Sequence, residues 1–305
     1  METNDLLRNI INLPLFSSGL AEEMLAGNFS SIFKGQGMEF DEARHYETGD
    51  DIRSIDWNAS ARFGYPFVKM YREERELTIL ILLDISPSMH RGNIARQGLS
   101  PYEQGLISAA LIAFSAEHTG QQVGAFLFDR DIEKVFPPRK GRKHIMSLVM
   151  SALQYQNNVP PRRSQYGSDI ASALTGAQRL LKKRSLVVLI SDFYSSNWEQ
   201  EMSRLCSKHD VIAVRICSPQ ELPFPGLITL EDPETGVRIE ASTGVDSFKE
   251  SWAVWHDEQS TYWESMCKKS GAAFLELSTS ADAPSSLIKF FGSRSHSLNK
   301  RRKRK

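Results

Sequence analysis

Three oxygen-bearing side chains stand at alternate positions where an apolar run ends: Asp84, Ser86 and Ser88 in ILILLDISPSMH, residues 79–90. A tight loop leaving a strand can turn all three oxygens toward one point. A DxSxS alone is weakly specific, because local capping of backbone N–H groups uses the same residue types. Two further stretches carry matching chemistry. SLVVLISDF delivers Asp192 at the end of a second apolar run, and GSDIASAL places the hydroxyl of Ser168 where a helix begins, although a serine there also serves as an N-cap. Together these residues offer two carboxylates and three hydroxyls on three loops. That is hard-oxygen chemistry, suited to Mg2+ (or Mn2+), which takes one or two carboxylates with neutral oxygens and water. Serine ligands leave such an ion under-neutralised and receptive to an external carboxylate.

The elements that must position these loops follow from the texture of the chain after Thr78. Strand-like runs LTILILLD, QQVGAFLFD, a short IEKVF, SLVVLISDF, DVIAVRIC and AAFLELS alternate with amphipathic stretches such as YEQGLISAALIAFSAEHTG, GSDIASALTGAQRLLKKR and residues 247–269. Strands of near-continuous Val, Ile and Leu are buried on both faces and need helices on two sides. The expectation is a doubly wound α/β fold with a mainly parallel sheet over residues 77–292. In such sheets ligands bind beyond the carboxyl ends of the strands, where strand order reverses, and Asp84 and Asp192 share that edge. Residues 222–242, LPFPGLITLEDPETGVRIEAS, read as an inserted hairpin turning at PETG. Residues 1–76 read as a small N-terminal β-rich extension joined by that hairpin, and residues 293–305 as a disordered basic tail.

Composition narrows the function classes. A hydrophobic content of 41% supports a packed core. No run approaches the roughly 18 apolar residues of a membrane span, and METNDLLRNIINLPLF lacks a signal-peptide pattern, so the expected location is cytoplasmic. Cys206, Cys217 and Cys267 are odd in number and far apart, which predicts reduced thiols, and there is no HExxH pair. The terminal KRRKRK leaves a mildly acidic body before it and suits at most a weak contact with an anionic surface. No basic surface interleaved with aromatic residues points to sequence-specific nucleic acid.

DISPSM, GSDIASAL and LISDF together resemble the metal-ion-dependent adhesion site of von Willebrand factor type A domains. The resemblance implies a metal held by Asp84, Ser86, Ser88, Ser168 and Asp192, with an Asp or Glu of a client protein filling the open position. Ser168 stands where threonine is usual, and Phe193 where glycine often follows the last aspartate. The long stretch from KGQGMEF through GDDIRSIDWNASAR to DISPSM resembles the bacterial family called domain of unknown function 58, over roughly residues 30–240. That resemblance implies a partnership with a MoxR-type AAA ATPase, in assembling or activating a target protein.

GDDIRSIDWNASAR gathers Asp50, Asp51, Arg53, Asp56, Trp57 and Arg62. Opposite charges this close predict an ion-paired, hydrogen-bonded plug with Trp57 buried beneath it, or else a partner-docking surface. KGQGMEF lacks a phosphate-loop pattern, so Gly35 and Gly37 read as turn or close-packing glycines. The reading that joins these features is a non-catalytic, metal-dependent protein-binding module. The alternative is a Mg2+-dependent phosphoryl-group hydrolase, against which Ser86 stands where a second carboxylate near Asp84 would act.

Overall fold

The structure is a computed structural model and describes residues 19–21, 38–47, 50–51, 54–73, 77–90, 99–157, 168–218, 226–231 and 237–302. The chain divides into two compact units, Phe29–Glu76 and Met1–Asn28 with Leu77–Lys305. The N-terminal stretch therefore does not form one extension: Leu20 and Ala21 are buried apolar residues of the larger unit.

In the smaller unit, β1 (Met38–His45) pairs antiparallel with β2 (Phe67–Glu73), with a register shift between Phe40 and Glu42. Between them lies α1 (Trp57–Phe63). Asp56 caps it, its Oδ1 accepting from Asn58 N at 3.0 Å and Ala59 N at 3.2 Å, and Gly64 at φ 78° ends it in the left-handed conformation that glycine adopts without a Cβ clash. Asp50 accepts from Arg44 Nη2 at 2.6 Å and from Glu47 N at 2.9 Å. Asp50 is thus ion-paired with Arg44 and Asp56 caps the helix, in place of the one expected plug. Trp57 is not beneath them. It is 69% exposed, because a seven-residue helix held by its cap presents no buried face. Asp51 and Arg62 are also exposed, and Arg53, Gly35 and Gly37 lie outside the described residues.

The larger unit is built on a six-stranded sheet of β3 (Thr78–Asp84), β4 (Gln122–Phe128), β5 (Ile132–Arg139), β6 (Leu186–Ser191), β7 (Asp210–Cys217) and β10 (Ala273–Ser278), in spatial order β10-β7-β6-β3-β4-β5. All neighbours are parallel except β5, which runs antiparallel at the edge beside β4, where Pro137 and Pro138 are tolerated. This is the expected α/β architecture, a central, mostly parallel sheet flanked by helices. Strands β3, β4, β6 and β7 are buried along almost their whole length, as their unbroken apolar runs require.

One face is covered by α2 (Pro101–His118), α3 (Arg142–Asn157) and α7 (Ala283–Arg302). Helix α2 is buried from Pro101 to Ala116 and so must be apolar all round. Its serines Ser108 and Ser115 return their hydroxyls to the carbonyls of Gln104 and Leu111, and a reciprocal box of Ser100 and Glu103 caps its start. The other face carries α4 (Ile170–Leu180), α5 (Glu199–Lys208) and α6 (Asp246–Ser270), which bury Leu174, Met202, Leu205 and Trp263 against Leu82, Leu189 and Ala213.

Two expectations change here. The hairpin of residues 222–242 forms β8 (Leu227–Glu231) and β9 (Arg238–Ser242), paired antiparallel as a separate two-stranded sheet rather than joined to β1 and β2; its PETG turn lies outside the described residues. The basic terminus is helical through Arg302 rather than disordered from 293, since no helix-breaking residue follows Gly292. Among the described residues no helix is long and apolar enough to cross a membrane.

Candidate functional site

Strand order reverses between β3 and β6: β3 continues to β4 on one side and β6 to β7 on the other. The crevice beyond their carboxyl ends is the ligand position of an open parallel sheet. Asp84 is the last residue of β3, and Asp192 follows the last residue of β6. Ile85 N donates to Phe128 O at 2.8 Å, which extends the sheet one residue and fixes where the chain turns into the 3-10 segment Pro87–His90.

Asp84 and Ser86 are sealed from solvent, and Ser88, Ser168 and Asp192 are 2%, 6% and 4% exposed. Ser86 N donates to Asp84 Oδ1 at 2.9 Å, and the hydroxyls of Ser86 and Ser88 lie 3.0 Å apart. The spacing of two does what the sequence pattern suggests, placing both hydroxyls in one hydrogen-bonded group beside the carboxylate. Asp192 Oδ1 accepts from Tyr194 N at 3.1 Å. Ser168 immediately precedes Asp169, the N-cap of α4, and its carbonyl accepts the Ser195 hydroxyl at 2.6 Å, which ties the second loop to the third. Ser168 is therefore not the cap; Asp169 is, its Oδ1 accepting from Ser172 N at 3.0 Å.

Sequence reasoning missed Ser191. Its hydroxyl donates to Asp84 Oδ2 at 2.6 Å and accepts from Phe193 N at 2.9 Å, so it clamps the first aspartate to the loop of the second. A hydroxyl next to an aspartate at a strand end was the available signal. Phe193 has φ 60°, a left-handed conformation that is uncommon outside glycine. The loop shape that glycine usually supplies is thus kept. The ring is held between Trp198 and Trp263, each with its centroid 5.5 Å away.

Electrostatics set the chemistry. Burial first, and the neighbouring Asp192 carboxylate second, push the Asp84 pKa up from 3.8 to about 8 against the opposing hydrogen bonds of Ser191 and Ser86. Among the described residues no Lys, Arg or His pairs with Asp84. Nor does any group of three or more His, Cys, Asp or Glu side chains stand ready to hold a metal. A cation here would have two carboxylates and serine hydroxyls as its protein ligands.

Residues 42–262 match the family described as Protein of unknown function DUF58. The chain belongs to the DUF58 family. This DUF58 protein is 28% identical over 277 residues to the Mycobacterium tuberculosis protein Rv1480, covering 89% of this chain and 84% of the relative. Among solved structures it is similar to the conserved hypothetical protein BatB from Bacteroides thetaiotaomicron, with a TM-score of 0.42 at 16% identity over 72% of this chain and 99% of that one. It is also similar to the SpRpn10 VWA domain, with a TM-score of 0.40 at 13% identity over 70% and 94% of the two chains.

Proposed function

We propose that this DUF58 protein is a non-catalytic, metal-dependent protein-binding module. Asp84, Ser86, Ser88, Ser168 and Asp192 hold Mg2+ (or Mn2+), and an Asp or Glu of a client protein completes the coordination. The observation that carries this reading is a fully buried Asp84 beside Asp192 with, among the described residues, no cationic side chain against Asp84. Two adjacent buried carboxylates need a proton or a cation, and the hydroxyls beside them are neutral ligands of the kind a small divalent ion accepts. The partnership with a MoxR-type AAA ATPase rests on the family resemblance of the GDDIRSIDW and DISPSM stretches. In it, the exposed Trp57, Asp51 and Arg62 of the smaller unit are candidates for docking. No observation at the site favours the hydrolase alternative over the binding module: the groups hydrogen-bonded to Asp84 are the hydroxyl of Ser191 and the loop of Ser86, with Asp192 as the neighbouring carboxylate.

Calorimetric titration of Mg2+ and Mn2+ into the full chain and into Asp84→Ala tests the proposal. Saturable binding is expected in the native chain and absent from a folded Asp84→Ala. No saturable heat from either ion with the native chain, or undiminished binding in the variant, would sink it.

A further inference from the structure

Arg215 lies near the carboxyl end of β7 and is only 5% exposed, yet its guanidinium makes no hydrogen bond to any described residue. Its ion pair is loose: Nη1 stands 3.6 Å from Glu276 Oε2, an oxygen already engaged by the Ser260 hydroxyl at 2.7 Å. Its other contact is the face of Trp263, 5.6 Å from the ring centroid. Nη1 is buried and has no hydrogen-bond partner among the described residues. A second arginine of this unit makes the direct carboxylate contact that Arg215 lacks. At the opposite end of β7, Arg294 Nη2 donates to Asp210 Oδ1 at 2.5 Å. A buried guanidinium left unbonded is costly, because its desolvation is offset only by good hydrogen bonds.

The neighbouring donors are in the same condition. Trp252 Nε1, His256 Nε2 and Trp263 Nε1 are each buried without a partner. Their spacing of four and seven puts them on one side of α6, and the rings of Trp252 and His256 stand 4.8 Å apart. Burial, and then the charge of Arg215, hold the His256 pKa below its ordinary value, so His256 adds no second positive charge. One cation thus meets a single half-exposed carboxylate poorly, beside a helix side that carries ring nitrogens without hydrogen-bond partners.

We propose that Arg215 and this side of α6 form a subsite for one carboxylate, carried on an acidic side chain of a peptide, which exchanges with Glu276. A guanidinium offers a planar pair of N–H groups that matches a carboxylate. A phosphate dianion fits less well, since Glu276 repels its extra charge and no second cation faces it among the described residues. The subsite adjoins the proposed metal loop, for Arg215 pairs in register with Ser191 and Trp263 packs on Phe193. Its ligand needs no metal, and the inference stands apart from the metal reading.

The test titrates the full chain in EDTA with N-acetylglutamate amide, and in parallel with N-acetylglutamine amide and inorganic phosphate. The indole N–H resonances report binding, assigned with Trp252→Phe and Trp263→Phe variants. The capped glutamate should shift Trp252 and Trp263 saturably and the capped glutamine should not, with affinity weaker by about tenfold or more for phosphate and for Arg215→Gln. Glu276→Gln, at a side chain 44% exposed, should tighten the capped glutamate several-fold by removing its competitor. A glutamine analogue that binds as well, phosphate that binds more tightly, or an Arg215→Gln variant with native affinity would overturn the proposal. Should Arg215→Gln fail to fold, Glu276→Gln decides: affinity unchanged or weakened refutes the exchange. With EDTA present, failure here leaves the metal reading untouched, and failure of metal binding leaves this subsite untouched.

Discussion

Replacing Asp84 with asparagine should stabilise the metal-free protein while destroying the proposed site. The side chain keeps its shape and its Oδ1 acceptor for Ser86 N, and it loses the oxygen that accepts from Ser191, a cost of about 1 kcal/mol. Against that stands the cost of ionising a buried carboxylate. The folded pKa is raised above the unfolded value, so the fold holds the proton more tightly than the unfolded chain does, and stability falls as pH climbs from 3.8 to about 8. At about 1.4 kcal/mol per pH unit, the native chain has lost, relative to low pH, on the order of 2 kcal/mol at pH 5 and 5 kcal/mol at pH 8. Asparagine escapes this cost at both. Urea unfolding in EDTA should therefore find Asp84→Asn more stable than the native chain at pH 8, with a gap about 3 kcal/mol wider than at pH 5. Adding Mg2+ should then raise the native chain and leave the variant where it was. A variant less stable than the native chain at pH 8 in EDTA, or a gap that does not change with pH, would refute the reasoning.

The same proton must leave when a cation arrives. Mg2+ affinity should rise about fiftyfold between pH 6 and pH 8 and less than about twofold above, with close to one proton released per ion at pH 7, measured by calorimetry in buffers of different ionisation enthalpy. Gly124 sits in the bulged register of β4 against β5, where an added Cβ would fall 2.8 Å from Phe136 O and 2.9 Å from Pro138 N. Both are backbone atoms or fixed by a ring, so Gly124→Ala should cost about 2–3 kcal/mol in urea unfolding, and a neutral result would mean that β5 can move off the edge. In the smaller unit, Asp56→Ala should cost about 1 kcal/mol by removing the cap of α1. Trp57→Ala, at an exposed ring, should change stability by less than about 0.5 kcal/mol; a loss as large as that of Asp56→Ala would show that the ring is buried in solution.

The sheet and the positions of the carboxylates were legible because one signal determines both. A run such as ILILLD is buried on two faces only in a parallel sheet, and an aspartate that ends it has to stand at the carboxyl edge. The roles of Ser191 and Asp169 were not legible. Each depends on which of two adjacent polar residues turns inward, and that is decided by backbone dihedrals at the loop rather than by residue type. Trp57 failed for a different reason. Size and apolarity predict burial only where a facing surface exists, and a seven-residue helix fixed by an aspartate cap supplies none. Arg215 escaped notice because a single charge within DVIAVRIC reads as an edge residue, and only the pairing of β7 between β6 and β10 places it inside.

Two costs converge on the loop after β6. Phe193 is held at φ 60°, and Asp84 is buried against a second carboxylate through a clamp that Ser191 provides. Local packing offsets only the first: the rings of Trp198 and Trp263 hold Phe193 in place, but they do nothing for the charge, and the hydroxyls that solvate Asp84 leave it far above its ordinary pKa. A fold that needed only stability would reach it with asparagine at 84, whereas Phe193 is kept by the burial of its ring between Trp198 and Trp263. Keeping Asp84 makes sense if its buried carboxyl must meet a positive charge from outside, since the cost of its burial is then recovered in the binding energy of the ion.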